Sequence, residues 1–148
     1  MGAISTTITL INPADPSKTH TMDALVDTGA VSNALPKDVV DFLGLDIFDH
    51  TVVRLATDET RTLDVAGPVI LEIAGRRMGT DRFVLPAASE ALIGQVVLER
   101  LDLIADCNQG TVYPRHGSSE RRRRLLKTLN NNTSDSLTCE IRPYEPLP

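Results

Sequence analysis

One acidic side chain stands where chemistry would need it. Asp27 closes the apolar run Ala24-Leu25-Val26 and opens the triplet Asp27-Thr28-Gly29, with Ala30 following. Three apolar residues ahead of an acid read as the end of a buried strand, where a carboxylate is costly unless it is paired and hydrogen-bonded. Held at a strand end beside a glycine, such a group is placed for general acid or base work. Asp-Thr-Gly is also ordinary turn chemistry, so the triplet alone does not decide between a site and a surface turn. Other reactive types do not cluster. Cys107 and Cys139 lie far apart and His20, His50 and His116 are scattered, so no metal site is expected. Cys107 reads as a small core residue, and the histidines read as surface or turn residues.

A second element changes the balance. Leu92-Ile93-Gly94 repeats the apolar-apolar-Gly pattern about 65 residues later and leads into the helical pattern Val96-Val97-Leu98-Glu99-Arg100-Leu101. The pair of motifs resembles the retropepsin-like aspartic proteases, the single-domain relatives of retroviral protease, over roughly Ile4 to Arg115. That resemblance implies an acid-protease-like β-barrel with one or two short helices, acting as a homodimer on peptide or protein substrates without a cofactor. Asp27 would be the catalytic carboxylate. Thr28 would interlock the two active-site loops through its hydroxyl, and Gly29 would donate N–H groups to the carboxylates. Ala30 would floor the substrate pocket, while Leu92, Ile93 and Gly94 would support the active-site loop.

The mechanism implied is hydrolysis by two facing carboxylates that share a proton, and one protomer supplies one of them. A two-fold dimer brings the second. Two departures from the viral pattern are visible. Val31 and Gln95 stand where viral members carry an Asp and an Arg that form an ion pair, so one bracing interaction is absent while the site residues remain. The alternative function is a catalytically silent β domain used for binding, dimerisation or regulation as an adaptor. The intact Asp-Thr-Gly argues against it.

The elements that must position Asp27 follow from periodicity. Ile4, Thr6, Ile8 and Leu10 alternate as a half-buried strand, Asn12 to Ser17 breaks the run, and Thr19 to Val26 resumes it as a hairpin ending at Asp27. Pro36, Val39, Val40 and Leu43 describe a short helix stopped by Gly44. Val52 to Thr57 and Thr60 to Val65 form a hairpin around Asp58-Glu59. By its position it is the flap of the resemblance, which makes Thr57, Asp58 and Glu59 substrate-binding candidates, although the tip lacks the glycines of viral members. Val69, Leu71 and Ile73 alternate as a further strand, turned by Ala74-Gly75-Arg76 into Met78 to Leu85. Leu103 to Cys107 and Thr111 to Tyr113 make a last hairpin. About eight short strands and two short helices, with no βαβ spacing, predict an all-β, closed or nearly closed fold.

Composition agrees with this reading. The 148 residues are 41% hydrophobic with no Trp, three Phe and two Tyr, so aliphatic side chains must fill the core, which favours strands. Residues 1–115 carry 16 acidic against 9 basic side chains, a balance unsuited to nucleic acid. The first apolar stretch is broken by Ser5, Thr6, Thr7 and Thr9, which excludes it as a signal peptide or membrane span, and a cytoplasmic location is expected. Two regions are expected: a protease-like domain over 1–115 and a polar, disordered tail over 116–148. In the tail, Arg121 to Arg124 read as a solvated helix face.

Overall fold

The computed structural model describes residues 3–115. Nine strands and two short helices occur among them. The expectations for residues 116–148, including Arg121 to Arg124 and Cys139, lie outside the described residues.

The first hairpin follows from alternation. β1 (Ile4–Asn12) buries Ile4, Ile8, Leu10 and Asn12 and turns Ser5, Thr7 and Thr9 outward. β2 (Asp15–Val26) pairs with it antiparallel, and the outer face is stitched by Thr7 Oγ1 donating to Asp23 Oδ1 at 2.9 Å. Thr9 and Thr21 hydroxyls meet at 3.2 Å on the same face. β2 starts at Asp15, earlier than the periodicity predicts, because Pro13-Ala14 alone makes the turn and Asn12 pairs with Asp15.

Two elements follow the motif. β3 (Ala34–Pro36) leads into α1 (Lys37–Leu43), which buries Val39, Val40 and Leu43 and stops at Gly44 in the left-handed conformation, φ 69°. The three residues of β3 are too few to show a period. They become a strand only by pairing with partners distant in sequence.

β4 (Asp46–Arg54) and β5 (Thr60–Ile73) form the long hairpin, and β6 (Arg76–Leu85) returns antiparallel along β5. β4 starts at Asp46 rather than Val52. Its first five residues are all exposed, so the sequence carries no alternation there, and pairing to β5 makes the strand. β5 is one continuous strand through Gly67-Pro68, where its register against β6 shifts between Ala66 and Val69. The sequence reads it as two strands because the interruption resembles a break.

β7 (Ala91–Ile93), α2 (Gln95–Arg100), β8 (Leu103–Asp106) and β9 (Thr111–Pro114) complete the fold. The strand order β1-β2-β7-β3-β6-β5-β4, with β1 pairing again to β5, closes the large sheet into a ring. β8 and β9 form a separate pair. Inside the ring Ile8, Leu10, Leu35, Val40, Leu43, Leu71, Ile93, Val97 and Leu101 are at most 1% exposed. The core is aliphatic, as the composition requires. Cys107 is not part of it. It is exposed in the turn between β8 and β9, because Asp106 accepts N–H bonds from Asn108 and Gln109 and makes this stretch a polar turn.

Candidate active site

The Asp27 loop is assembled from both motifs. β2 runs parallel to β7 with Ala24, Leu25 and Val26 opposite Ala91, Leu92 and Ile93. The Asp27 N–H extends this ladder by donating to the Ile93 carbonyl at 3.0 Å. The backbone then turns, with the Ala30 N–H donating to the Asp27 carbonyl at 3.1 Å and the Gly29 N–H to Asp27 Oδ1 at 2.9 Å. A Cβ on Gly29 would stand 3.3 Å from Oδ1, a tight contact that glycine avoids. Asp27, Thr28 and Gly29 are all exposed in the single protomer.

Gly94 supports the loop from behind. A Cβ there would lie 2.6 to 2.8 Å from the carbonyl oxygens of Ser32, Val31 and Ala30, closer than any real contact. The loop and the start of α2 are thus in backbone contact. Gln95 N–H donates to the Ala30 carbonyl at 2.8 Å, and Val96 N–H to that of Val31 at 3.3 Å. The Gln95 side chain turns away to Glu99, donating at 2.8 Å. Backbone bonds brace this loop where the viral pattern has an Asp–Arg pair at the positions of Val31 and Gln95.

Asn33 is a supporting residue that sequence reasoning missed. It is 6% exposed; its Oδ1 accepts the Gly94 N–H at 2.7 Å and its carbonyl accepts the Phe83 N–H at 3.2 Å. One amide residue therefore ties the loop, β6 and the second motif together. The available signal was a polar residue directly before Ala34-Leu35-Pro36, since a buried amide must find partners.

A cleft of about 670 Å³ opens over the loop. It is lined by Asp27, Gly29 and Ala30 of the loop, by Val53, Arg54, Leu55, Ala56 and Leu63 of the hairpin, and by Phe83, Leu85 and Leu92. A largely apolar trough lined by a carboxylate suits an extended peptide whose side chains are buried and whose backbone passes the acid. Of the predicted residues, the structure brings Asp27, Gly29, Ala30 and Leu92 to the cleft and leaves Ile93 and Gly94 buried behind it. Thr28 is exposed beside it. Thr57, Asp58 and Glu59 do not line it, and the preceding residues Val53 to Ala56 do so instead. The hairpin loop folds back on itself: the Asp58 N–H donates to the Leu55 carbonyl at 2.9 Å, and the Asp58 carboxylate meets Arg54 at 2.9 Å. That curl carries the tip residues off the trough.

Solved structures that share this architecture include two retroviral-type protease folds. EIAV protease, solved in complex with the inhibitor HBY-793, superposes with a TM-score of 0.54 at 18% identity, covering 68% of this protein and 89% of that one. The retroviral protease-like domain of Ddi1 from Leishmania major superposes with a TM-score of 0.53 at 18% identity, covering 78% and 90%. The fold is retropepsin-like. No protein-family model matches the sequence, and no curated protein matches it either. At this identity the likeness is one of retropepsin-like architecture, and chemistry has to be argued from the residues themselves.

Proposed function

We propose that this protein is an aspartic endopeptidase that acts as a homodimer, with the Asp27 carboxylates of two copies facing each other across a two-fold axis. One observation carries the reading: Asp27 is exposed and lines a peptide-sized, largely apolar cleft, on a loop braced by Gly94 and Asn33. Asp27 Oδ1 accepts the Gly29 N–H, which fixes the carboxylate within the turn and leaves Oδ2 for chemistry. Val31 and Val96, 65% and 47% exposed, sit on the two segments that are hydrogen-bonded behind Asp27. An isologous contact through this loop would cover both and complete the site.

In that dimer the chemistry is acid–base. The ionised carboxylate takes a proton from a water, and the resulting hydroxyl adds to the scissile carbonyl carbon as the neutral carboxyl gives its proton to the carbonyl oxygen. Collapse of the tetrahedral diol then expels the amine, which leaves with a proton. Facing carboxylates cannot both ionise cheaply, aspartic proteases being the standard case, so the pair works in its singly protonated form. The test is cleavage of a peptide library by the purified full-length protein, read by mass spectrometry, beside Asp27→Asn. Cleavage by the wild type that Asp27→Asn abolishes while keeping its circular dichroism supports the proposal. Equal cleavage by both, or none under any condition from pH 4 to 8 (a rough span around the carboxyl reference range), would sink it.

A further inference from the structure

Exposed apolar side chains concentrate on one strand. Ile47, Phe48 and Val52 of β4 are 41%, 58% and 68% exposed. β4 also ends the strand order and pairs with β5 alone among the described residues, so its outer edge is open. An open edge bordered by apolar side chains is a template for another strand. Native edges are often blunted by lysine or proline, and β4 contains neither. Only its first half is interrupted, by the register shift at Phe48 between Ile47 and Asp49.

The hairpin decides which backbone groups face that edge. The Leu55 N–H donates to the Glu59 carbonyl at 2.8 Å, and the register runs unbroken from Arg54 opposite Thr60 to Asp49 opposite Val65. Bonded pairs alternate along an antiparallel ladder, so Val53 and Thr51 bond to β5 while Val52 and Arg54 turn their N–H and C=O groups outward. His50 turns outward too, but its N–H is taken by Asp49 Oδ1 at 2.8 Å and its Nδ1 meets Asp64 Oδ1 at 2.7 Å. On either side of His50 the strand is self-complementary. Toward its end stand Val52 and then Arg54; toward its start stand Phe48 and Ile47 and then Asp46. Two copies laid antiparallel with His50 at a two-fold axis set Val52 of each beside Ile47 and Phe48 of the other, and Arg54 beside Asp46. The apolar match and the charge match each form twice, as an isologous contact requires.

We infer that the outer edge of β4 is an interaction surface whose partner is the same strand of a second copy, added antiparallel so that the sheet continues across a two-fold axis. Arg54 is free to turn to Asp46 of the other copy, because its ion pair with Asp58 is exposed and screened by solvent. One added strand falls short of the roughly 1,200 Å² that a stable interface buries, so the association is weak, with a dissociation constant of roughly 10 to 1,000 μM. The contact is separate from the Asp27 loop: Ile47, Phe48 and Val52 do not line the cleft. It holds from outside the hairpin whose Val53 and Leu55 do.

Amide hydrogen exchange of the full-length protein, followed by NMR at rising protein concentration, reads this edge directly and needs no variant. The Val52 and Arg54 amides should slow by about tenfold at a concentration about ten times the dissociation constant, while those of Thr51 and Val53, already bonded to β5, change less. Val52→Lys alters an exposed side chain and should abolish the concentration dependence; sedimentation should lose the matching species and keep any association through the Asp27 loop. Arg54→Asp should weaken the contact, and Arg54→Asp combined with Asp46→Arg should restore it, a rescue that only strand-to-strand pairing of two copies provides. Val52 and Arg54 amides that exchange fast at every concentration would overturn the inference. Slow exchange that does not depend on concentration would overturn it as well, since the edge would then be covered within one copy. So would slowing that survives Val52→Lys. None of these outcomes bears on cleavage, so the peptidase reading stands or falls on its own test.

Discussion

Gly94 and Arg82 make opposite predictions about stability, and both follow from local contacts. A methyl group at Gly94 would collide with three carbonyl oxygens of the Asp27 loop, and none of them is a flexible side chain that can step aside. Gly94→Ala should therefore lower stability by about 1 to 3 kcal/mol, the usual effect of overpacking. Any peptidase activity should fall further than stability, because the displaced segment carries Asp27. Urea unfolding and cleavage rates on the same preparation check both, and a neutral variant would show that the loop is not braced from behind. Arg82 is the converse case. Burial depresses its folded-state pKa to about 10 from the ordinary guanidinium value, so below about pH 10 both states are protonated and the burial penalty stands in full. Between those values the unfolded state holds more protons, and stability rises with pH as the penalty is relieved. Arg82→Met, which removes the charge and keeps much of the volume, should raise stability at neutral pH by about 1 to 4 kcal/mol, as replacing buried charges with apolar groups often does. A lower urea midpoint for Arg82→Met would show that the Nη1 bonds to Thr80 and Asp81 outweigh the cost of the charge.

At the scale of elements, the site is a product of short strands held by single polar side chains. Asn12 is 8% exposed at the end of β1; its Nδ2 donates to the Leu43 carbonyl at 2.8 Å, and its Oδ1 accepts the Ala14 N–H at 2.9 Å. It thus satisfies the end of α1 and the β1–β2 turn together. Asn12→Ala should destabilise by about 1 to 3 kcal/mol through those two orphaned groups. Hydrogen exchange should speed at the α1 end and the first turn while the Asp27 loop, tied instead through Asn33, keeps its protection. The hairpin tip is held differently. Arg54 and Asp58, 73% and 80% exposed, form an ion pair that solvent screens, so Asp58→Asn should change stability by less than about 1 kcal/mol. A larger loss in thermal unfolding would mean that the curl of the tip depends on that pair.

For the whole molecule, the proposed mechanism is arithmetic on carboxylates. It needs two, and the sequence contains a single Asp-Thr-Gly. Specific activity should rise with protein concentration until dimerisation saturates, and excess Asp27→Asn protein should poison the wild type by forming mixed dimers with one competent carboxylate. Dilution to nanomolar levels (an order-of-magnitude choice below ordinary dimer affinities) with constant activity per protomer and no poisoning would exclude a shared site. Activity should also be bell-shaped in pH, since only the singly protonated pair is competent.

Much of this was legible in the sequence itself, because the signals were local. Alternation in Ile4 to Leu10, the Gly44 stop, and the two apolar-apolar runs ending at Asp27 and Gly94 each act within a few residues, where period and turn chemistry are direct physical constraints. They determined the strand-rich class, the first hairpin, both helices and the candidate carboxylate. What the tertiary structure alone decided was everything set by partners far apart in sequence. β3 is three residues long and exists through β6 and β7; the first half of β4 has no apolar face and exists through β5. The closing of the ring by β1 on β5 leaves no trace in either strand. Asn33 and Arg82 look alike in sequence, each a polar residue directly before a short apolar run, yet burial turned one into a satisfied brace and left the other with two unmet donors. Whether a buried polar group is satisfied depends on where acceptors from other strands fall in space, and no local pattern encodes that.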